Sequence, residues 1–247
     1  MNTIGHIIKM SNLIICILFT FFIIIPAYRV IDISNTLNGI GNIKKLSKNN
    51  LYFLSDKFYS GANKVDVKLY YECLCPDCKR FDKYEFGPAV AKLSRYLNIH
   101  TYPYGNAKTI EENGKIEFKC QHGPAECYGN KLHACAIDHL QNVTKAVLFN
   151  VCMMDSDNDL GSNDEAADRC ALSMSLDSNP IKACAKGERG TQLLKYYGDE
   201  SMKVNFQYVP YILINGQVSD GTDFMRDVCS QFHVLPPPCM KYYNNYV

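Results

Sequence analysis

The sequence predicts an α/β fold with a cysteine-rich, mostly helical insertion, and three observations favour it. Residues 65–70 alternate apolar and polar side chains as a strand does, and a cysteine cluster and a helical apolar pattern follow at once. A second strand pattern begins near Ile99. Strand character then returns strongly only at residues 208–214, beyond a long stretch of helical pattern. Strands separated by helices in this way indicate a mixed sheet with helical connections.

Residues 1–63 are expected to precede the folded domain. An apolar run at residues 13–25 follows Lys9 and is shorter than the about 20 residues that a membrane span needs. A signal peptide over residues 1–27 is therefore predicted, with a retained signal anchor as the alternative. If the peptide is cleaved, no stable membrane span is expected. Residues 28–63 are largely polar and are predicted to form a leader or linker.

The elements before the insertion are predicted in order as strand, helix, strand and strand. After the strand at residues 65–70, apolar residues recur at near-helical spacing over residues 81–97, with a bend or break at Gly87-Pro88. The strand near Ile99 follows, and then a short strand at residues 115–119.

The insertion is expected at about residues 124–195. Beyond it, a buried strand enters an Asn215-Gly216 hairpin turn, and residues 222–232 close the domain as a helix. The whole domain is predicted to span residues 64–240, which leaves a tail at residues 241–247.

Composition and cysteine usage restrict the class of function. Of 247 residues, 47% are hydrophobic and 21% are charged, and a net charge of +1 predicts no nucleic-acid partner. Twelve cysteines favour an oxidising compartment, so the secretory route is expected. The sequon at Asn142 is usable for N-glycosylation only in a translocated chain.

The sharpest signal for chemistry is Cys75-Pro76-Asp77-Cys78, between a predicted strand and a predicted helix. The thiolate is the reacting form of cysteine, and the N-terminus of a helix stabilises it through free N–H groups and the helix dipole. Cys75 is predicted to be the attacking nucleophile and Cys78 the resolving thiol. Taken alone, the motif also fits a structural disulfide or half of a zinc site.

Val209-Pro210 supplies a structural context for this motif. In thioredoxin-like folds a proline, often with a cis peptide bond, begins the strand beside the dithiol. Its ring keeps metal away, and the backbone of its neighbour receives substrate. The sequence therefore predicts a thioredoxin-like core, with substrate binding at Val209 and Pro210 and no metal. A trans proline at the start of an edge strand is the alternative reading.

Residues 120–135 read Cys-Gln-His-Gly-Pro-Ala-Glu-Cys-Tyr-Gly-Asn-Lys-Leu-His-Ala-Cys. This string is similar to the signature of the gamma-interferon-inducible lysosomal thiol reductase (GILT) family, Cys-Gln-His-Gly-x-x-Glu-Cys-x-x-Asn-x-x-x-x-Cys, at every fixed position. The resemblance extends from about Val65 to Cys239. It implies a thioredoxin-like domain with a helical insertion that reduces disulfides of protein substrates in an acidic endosomal or lysosomal compartment, or after secretion.

The remaining cysteines form an even set once Cys73, Cys75, Cys78 and the N-terminal Cys16 are set aside. They can form four structural disulfides, although spacing does not reveal the pairs. This set comprises Cys120, Cys127, Cys135, Cys152, Cys170, Cys184, Cys229 and Cys239. Cys73 departs from the family pattern; it could compete for Cys75 or Cys78, pair across a dimer or be a buried thiol on the strand, and the last is favoured.

Two features of the signature region and the insertion are interpreted as structural. The cysteines of the signature are expected to link the insertion to the core, and His122 is expected to be a hydrogen-bonding residue rather than a proton shuttle. The acidic run at residues 155–164 begins like a calcium loop, but Leu160 replaces the required Gly and Ala166 the closing Glu. A solvated loop is therefore predicted there.

The leading functional hypothesis is a thiol-disulfide reductase that acts on disulfide-containing protein substrates. It needs no cofactor beyond its redox-active dithiol and an external thiol reductant, and its expected location is lysosomal, endosomal or extracellular. A disulfide oxidase or isomerase is the alternative within redox chemistry. A binding or adhesion module with a permanent Cys75–Cys78 disulfide, and a zinc module that uses Cys73, Cys75 and Cys78, are alternatives of other classes.

Overall fold

A computed structural model describes residues 64–155 and 161–244. The predicted signal peptide, the leader and residues 156–160 of the acidic loop lie outside the described residues. In chain order, the elements are β1 (Val65–Tyr71), α1 (Pro76–Phe81), a π-helical turn (Asp82–Phe86), α2 (Gly87–Leu93), a 3₁₀ turn (Ser94–Tyr96), β2 (Leu97–Pro103), β3 (Lys108–Glu112), β4 (Lys115–Lys119), α3 (Pro124–Leu140), α4 (Val143–Met154), α5 (Asp164–Ser173), α6 (Asn179–Lys186), α7 (Glu188–Met202), β5 (Tyr211–Ile214), β6 (Gln217–Ser219), α8 (Phe224–Cys229) and α9 (Pro237–Asn244).

The central sheet has the strand order β2-β1-β5-β6. β1 pairs with β2 in parallel, with Val67 opposite Ile99, and with β5 in the antiparallel sense, with Leu69 opposite Ile212. A parallel pair needs a crossover connection, which α1, the π turn and α2 provide. The apolar side chains of β1 are buried, so the strand whose C-terminal end leads to the cysteine motif is fixed at the centre of the domain.

The helix after the cysteine motif passes through Gly87-Pro88 instead of breaking there. Pro88 lies in the first turn of α2, where a missing N–H costs no intrahelical bond. The π turn before it changes the hydrogen-bond spacing, and the Gly87 N–H donates to the Asp82 carbonyl oxygen. A Cβ on Gly87 would lie 2.9 Å from that oxygen and 2.9 Å from a methyl group of Val151, so glycine also permits α4 to pack closely.

The helical insertion extends from Pro124 to Met202, beyond the predicted end near residue 195. The extension follows from α7, whose Leu194, Tyr197 and Ser201 are all buried and keep the helix on the core to its last turn. Most of the insertion packs around a second apolar core, whereas Val147 and Met154 of α4 belong to the core of the sheet. Among the helices of residues 64–155 and 161–244, none is long and apolar enough to cross a membrane.

The last described helix, α9, extends past residue 240. α8 is shorter than the predicted helix at residues 222–232, whereas α9 continues into the predicted tail as far as Asn244. A disulfide between Cys229 and Cys239 joins α8 to α9 and holds α9 against the sheet core. Residues 245–247 lie outside the described residues.

Candidate active site

Cys75 occupies the N-cap position of α1, directly after the segment that leaves β1. Pro76 follows at the first helical position, where its fixed φ suits the start of a helix. The backbone N–H of Cys78 donates to Cys75 Sγ at 3.5 Å. The order strand, cysteine, proline and helix thus directs the free N–H groups of the first turn toward one sulfur.

The two thiols of the motif differ in exposure and in acidity. Cys75 is 8% exposed and Cys78 is fully buried. A hydrogen bond from the Cys78 thiol, aided by the backbone N–H groups of Cys78 and Asp77, lowers the pKa of Cys75 to about 6 against the opposing effect of burial. Burial raises the pKa of Cys78 well above its ordinary value. Cys75 is therefore the thiol that ionises first and faces the surface.

Val209 and Pro210 lie beside Cys75. The Val209–Pro210 peptide bond is cis, and the Val209 carbonyl oxygen lies 3.9 Å from Cys75 Sγ, within reach of a weak S–H hydrogen bond. Tyr208, the preceding residue, is 53% exposed. This segment supplies a backbone edge next to the more acidic sulfur.

A surface cleft contains Cys75 and reaches the signature turn. Four chain segments meet there: the motif, the turn around residue 106, the start of the signature and the segment before β5. The residues that line it are Cys75, Pro76, Asp77, Asn106, Gln121, His122, Gln207, Tyr208 and Val209. Two residues of the signature therefore share a cleft with Cys75.

Two buried glutamates approach His122 at the inner side of this cleft. Glu126 Oε2 lies 2.6 Å from His122 Nδ1, and Glu72 Oε2 lies 3.3 Å from the same nitrogen. Both glutamates are fully buried, and burial raises the pKa of Glu72 to about 7. Within residues 64–155 and 161–244, these three side chains are the one group of at least three whose geometry would suit a shared metal ion.

The eight remaining cysteines of the described residues are paired in disulfides. The pairs are Cys120–Cys127, Cys135–Cys184, Cys152–Cys170 and Cys229–Cys239. This confirms that the even set forms four disulfides. Cys73, Cys75 and Cys78 are free and buried. Cys73 follows β1 rather than lying on it. It is a buried thiol, as the favoured alternative for this residue expected.

Comparison with known proteins identifies the family. The family model described as gamma interferon inducible lysosomal thiol reductase (GILT) matches residues 66–174. A gamma-interferon-inducible lysosomal thiol reductase-like protein of Anopheles gambiae is 32% identical over 198 residues, which cover 73% of this chain and 82% of the relative. The chain belongs to the GILT family. It is thus a thiol-disulfide oxidoreductase, as the sequence predicted.

Further relatives and one solved structure agree with this assignment. GILT-like protein 1 of Drosophila melanogaster is 36% identical over 64% of this chain and 68% of its own length. The mouse gamma-interferon-inducible lysosomal thiol reductase is 33% identical over 70% of each chain. Reduced DsbA from Mycobacterium tuberculosis superposes with a TM-score of 0.53 at 16% identity, over 76% of this chain and 92% of that one. The predicted thioredoxin-like fold is therefore confirmed.

The GILT signature is joined to the rest of the domain by a disulfide and by polar side chains. Cys120–Cys127 joins the segment after β4 to α3, whereas Cys135–Cys184 closes within the insertion. In addition, Asn130 Oδ1 accepts the backbone N–H of Cys73 at 3.0 Å. α3 thus turns its Asn130 side toward β1 while Cys135 faces α6.

A second polar contact from α3 to the sheet uses His133. Its Nδ1 lies 2.9 Å from the Tyr71 hydroxyl, and its Nε2 lies 2.8 Å from Ser162 Oγ. Burial lowers the pKa of His133 to about 3, so the ring is neutral at physiological pH. This histidine has a structural role in the GILT domain.

The predicted site residues Cys75, Cys78, Val209 and Pro210 come together in the fold, and His122 joins them. Sequence reasoning missed Glu72 and Glu126. Glu126 was visible as a fixed position of the signature, but nothing in the local pattern linked it to Glu72, which follows β1 and lies 54 residues earlier in the chain. The end of β1 and the start of α3 meet through a tertiary contact, and no periodic pattern in the sequence predicts such a contact.

Proposed function

We propose that the protein reduces disulfides of protein substrates through the Cys75 and Cys78 dithiol. The observation that carries this proposal is the opposite character of the two thiols, since Cys75 has a pKa of about 6 and lines the cleft, whereas Cys78 is buried with a raised pKa. A pair of this kind contains one thiolate able to attack and one protonated thiol held in reserve.

The first step is attack by the Cys75 thiolate on a substrate disulfide. A bond forms between Cys75 Sγ and one substrate sulfur, the substrate S–S bond breaks, and the departing sulfur leaves as a thiolate that takes up a proton. In the second step Cys78 loses its proton and attacks Cys75 Sγ. The mixed disulfide breaks, and the substrate leaves with both of its sulfurs reduced. The dithiol has then lost two electrons, which an external thiol reductant restores.

Val209 and Pro210 would position the substrate. The Val209 carbonyl oxygen lies 3.9 Å from Cys75 Sγ, so a peptide strand that pairs with this backbone would bring its cystine to the attacking sulfur. Proline has no N–H of its own, which leaves Val209 as the residue of this pair with a backbone donor.

An acidic endosomal or lysosomal compartment, or the space outside the cell, is the proposed location. At pH 5 a thiol with a pKa of 6 retains about a tenth of its thiolate, whereas an ordinary cysteine of pKa 9.0 retains about one part in ten thousand. The names of the mouse and Anopheles relatives, which contain the word lysosomal, and the four disulfides support this location. A cleaved N-terminal signal peptide would direct the chain there.

The test is trapping of a denatured disulfide protein at pH 5 and pH 7. Cys78→Ser should accumulate a mixed disulfide through Cys75, detected by non-reducing electrophoresis and mass mapping, because the resolving thiol is missing. Cys75→Ser should neither trap nor reduce substrate, and Cys73→Ala is the matched control that should keep its activity. Trapping by Cys75→Ser alone would reverse the two roles, and full activity in both serine variants would exclude this dithiol.

A further inference from the structure

Glu72, His122 and Glu126 form a cluster that the proposed disulfide chemistry does not use. Glu72 follows the last residue of β1, Glu126 lies in the first turn of α3, and His122 lies in the turn before that helix. Both carboxylates are fully buried, whereas His122 reaches the cleft. We refer to these three side chains as the carboxylate cluster.

The contacts of Glu126 are accounted for by the start of α3. Its Oε1 accepts the backbone N–H of His122 at 3.0 Å, and its Oε2 lies 2.6 Å from His122 Nδ1. A glutamate in the first turn that reaches back to a preceding N–H is a common way to begin a helix. Glu126 is therefore buried with both of its oxygens partnered.

Glu72, by contrast, has a partner for only one of its two carboxylate oxygens. Its Oε1 accepts the backbone N–H of Asn106 at 2.6 Å, but its Oε2 is buried and has no hydrogen-bond partner. That oxygen points at His122 Nδ1 from 3.3 Å, and a single ring N–H already directed at Glu126 cannot serve both carboxylates. In the described part of the chain, His122 is the one basic side chain within 4 Å of either carboxylate.

We propose that Glu72 Oε2, Glu126 Oε2 and His122 Nδ1 bind a divalent cation of the zinc class. Carboxylate oxygen and imidazole nitrogen are ordinary zinc ligands, and three protein ligands leave a fourth position open to water. The candidate ligand atoms all lie within 4.8 Å of one another. A divalent cation would replace the ring proton, supply the partner that Glu72 Oε2 lacks and neutralise both buried carboxylates.

Close packing holds Glu72 in the position this site requires. Gly105 has φ +61°, and a Cβ there would lie 2.2 Å from Glu72 Cγ and 2.5 Å from Oε1. The backbone of the turn therefore lies directly against the carboxylate and restricts its rotation. A pre-positioned ligand of this kind favours binding because less side-chain freedom is lost.

The site borders the cleft that contains Cys75, because His122 and Cys75 line the same opening. A bound cation would therefore alter access to the Cys75 sulfur. The existence of the site does not rest on the proposed reductase mechanism, since its ligands exclude both thiols of the motif.

The test measures Zn²⁺ binding by calorimetry. The protein is the full-length Cys75→Ser/Cys78→Ser variant, which lacks the dithiol as a competing metal site. We expect one equivalent of Zn²⁺ to bind, and His122→Ala or Glu126→Gln in the same background to weaken that binding at least tenfold. His139→Ala, which removes an exposed histidine of α3, is the matched control and should bind as the parent does. Circular dichroism and thermal unfolding establish that each variant is folded. His122 is exposed, so its replacement tests the site even if Glu126→Gln fails to fold.

Co²⁺ gives an independent readout of the ligand set. In the same double-serine background the Co²⁺ complex should show d–d bands without a thiolate charge-transfer band. Absence of Zn²⁺ binding, unchanged binding in a folded His122→Ala protein, or a thiolate band from Cys73 would each overturn the proposed site.

With the dithiol intact, Zn²⁺ should slow alkylation of Cys75, and His122→Ala should reduce that effect. An effect of equal size in both proteins would show that the dithiol alone captures the metal.

Discussion

From the end of β1 into the first turn of α1, Cys73, Cys75 and Cys78 are free thiols, whereas every cysteine of the helical insertion is in a disulfide. The first region is held by sheet hydrogen bonds and by the packing of the apolar side chains of β1, which are buried. The insertion is cross-linked between its helices, as by Cys135–Cys184 between α3 and α6. The thiols proposed to react therefore lie where no structural cross-link depends on them.

This difference bears on how one chain can contain labile and permanent disulfides together. An exposed catalytic disulfide is more easily reduced than a buried structural one. Cys75 lines a cleft, whereas Cys135 and Cys170 are fully buried. Cys120 and Cys127 are 8% and 9% exposed, as much as Cys75 at 8%, so exposure alone does not distinguish the sulfur proposed to exchange. Its position at the N-terminus of α1 and its lowered pKa do. The predictions test each side of that difference.

The largest expected effect is on stability, from removal of the cross-link with the longest loop. Cys135 and Cys184 are 49 residues apart, and loss of a loop of that size costs about 4 kcal/mol in the chain-entropy model. Cys135→Ala/Cys184→Ala should lower the free energy of unfolding by about that amount, measured by urea denaturation with the dithiol kept reduced. The matched pair Cys75→Ala/Cys78→Ala removes no cross-link in the reduced protein. It should lose less than about half as much, and equal losses would remove the contrast between the two regions.

The local features of the fold and site were predictable because their causes are local. The alternating pattern at β1, the Cys-Pro-Asp-Cys start of α1 and the Asn215-Gly216 turn, with both residues at positive φ, are each specified within a few residues. The pairing of the cysteines was not predictable, because the packing of the helices, and not the sequence spacing, determines which cysteines meet. The same reason hid the approach of Glu72 to Glu126 and the use of Asn130 to hold the backbone of Cys73.

The next prediction concerns the contact where the two regions meet. A Cβ added to Gly129 of α3 would lie 2.5 Å from Cys73 Sγ and 2.8 Å from the Ser162 carbonyl oxygen. Gly129→Ala should therefore destabilise the protein by about 1–3 kcal/mol through overpacking, as measured by urea denaturation. Cys73→Ala removes the sulfur, so the double variant should lose less than the sum of the single losses. Strict additivity would mean that Cys73 does not fill this space.

The pH dependence of Cys75 alkylation tests the reactive side of the comparison. A folded-state pKa of about 6, lowered from 9.0, keeps the thiolate present as the pH falls to 6. At pH 6 the thiolate fraction is about 500-fold higher than for an ordinary cysteine, and the lower intrinsic nucleophilicity of a weaker base reduces the net advantage to about 20-fold. Iodoacetamide labelling of the reduced protein between pH 4 and 9, followed by mass spectrometry, should place the midpoint for Cys75 near pH 6.

Cys78 is the internal control for this titration. Its raised pKa should leave it unlabelled until well above the midpoint of Cys75. Cys78→Ala should move the midpoint of Cys75 upward because the main hydrogen bond to Cys75 is lost. A midpoint of Cys75 near pH 9 in the wild-type protein would contradict the electrostatic difference between the two thiols.

The smallest expected effect concerns Asn142, which begins α4 in the insertion. Its Oδ1 accepts the backbone N–H of Lys145 at 3.0 Å, so Asn142→Ala should cost about 1 kcal/mol by loss of the helix cap. The amide nitrogen is the atom that a glycan would occupy, so the cap and N-glycosylation are compatible on one side chain. Asn142→Asp should retain the cap while removing the sequon, and Thr144→Ala should remove the sequon without touching the capping oxygen.

In unglycosylated protein from bacteria, thermal unfolding should therefore separate Asn142→Ala from Asn142→Asp. In protein secreted from eukaryotic cells, both variants and Thr144→Ala should lose the same glycan mass. If Asn142→Asp is as unstable as Asn142→Ala, the side-chain oxygen does not cap α4, and the stability of the insertion rests on its disulfides and apolar core without a contribution from this residue.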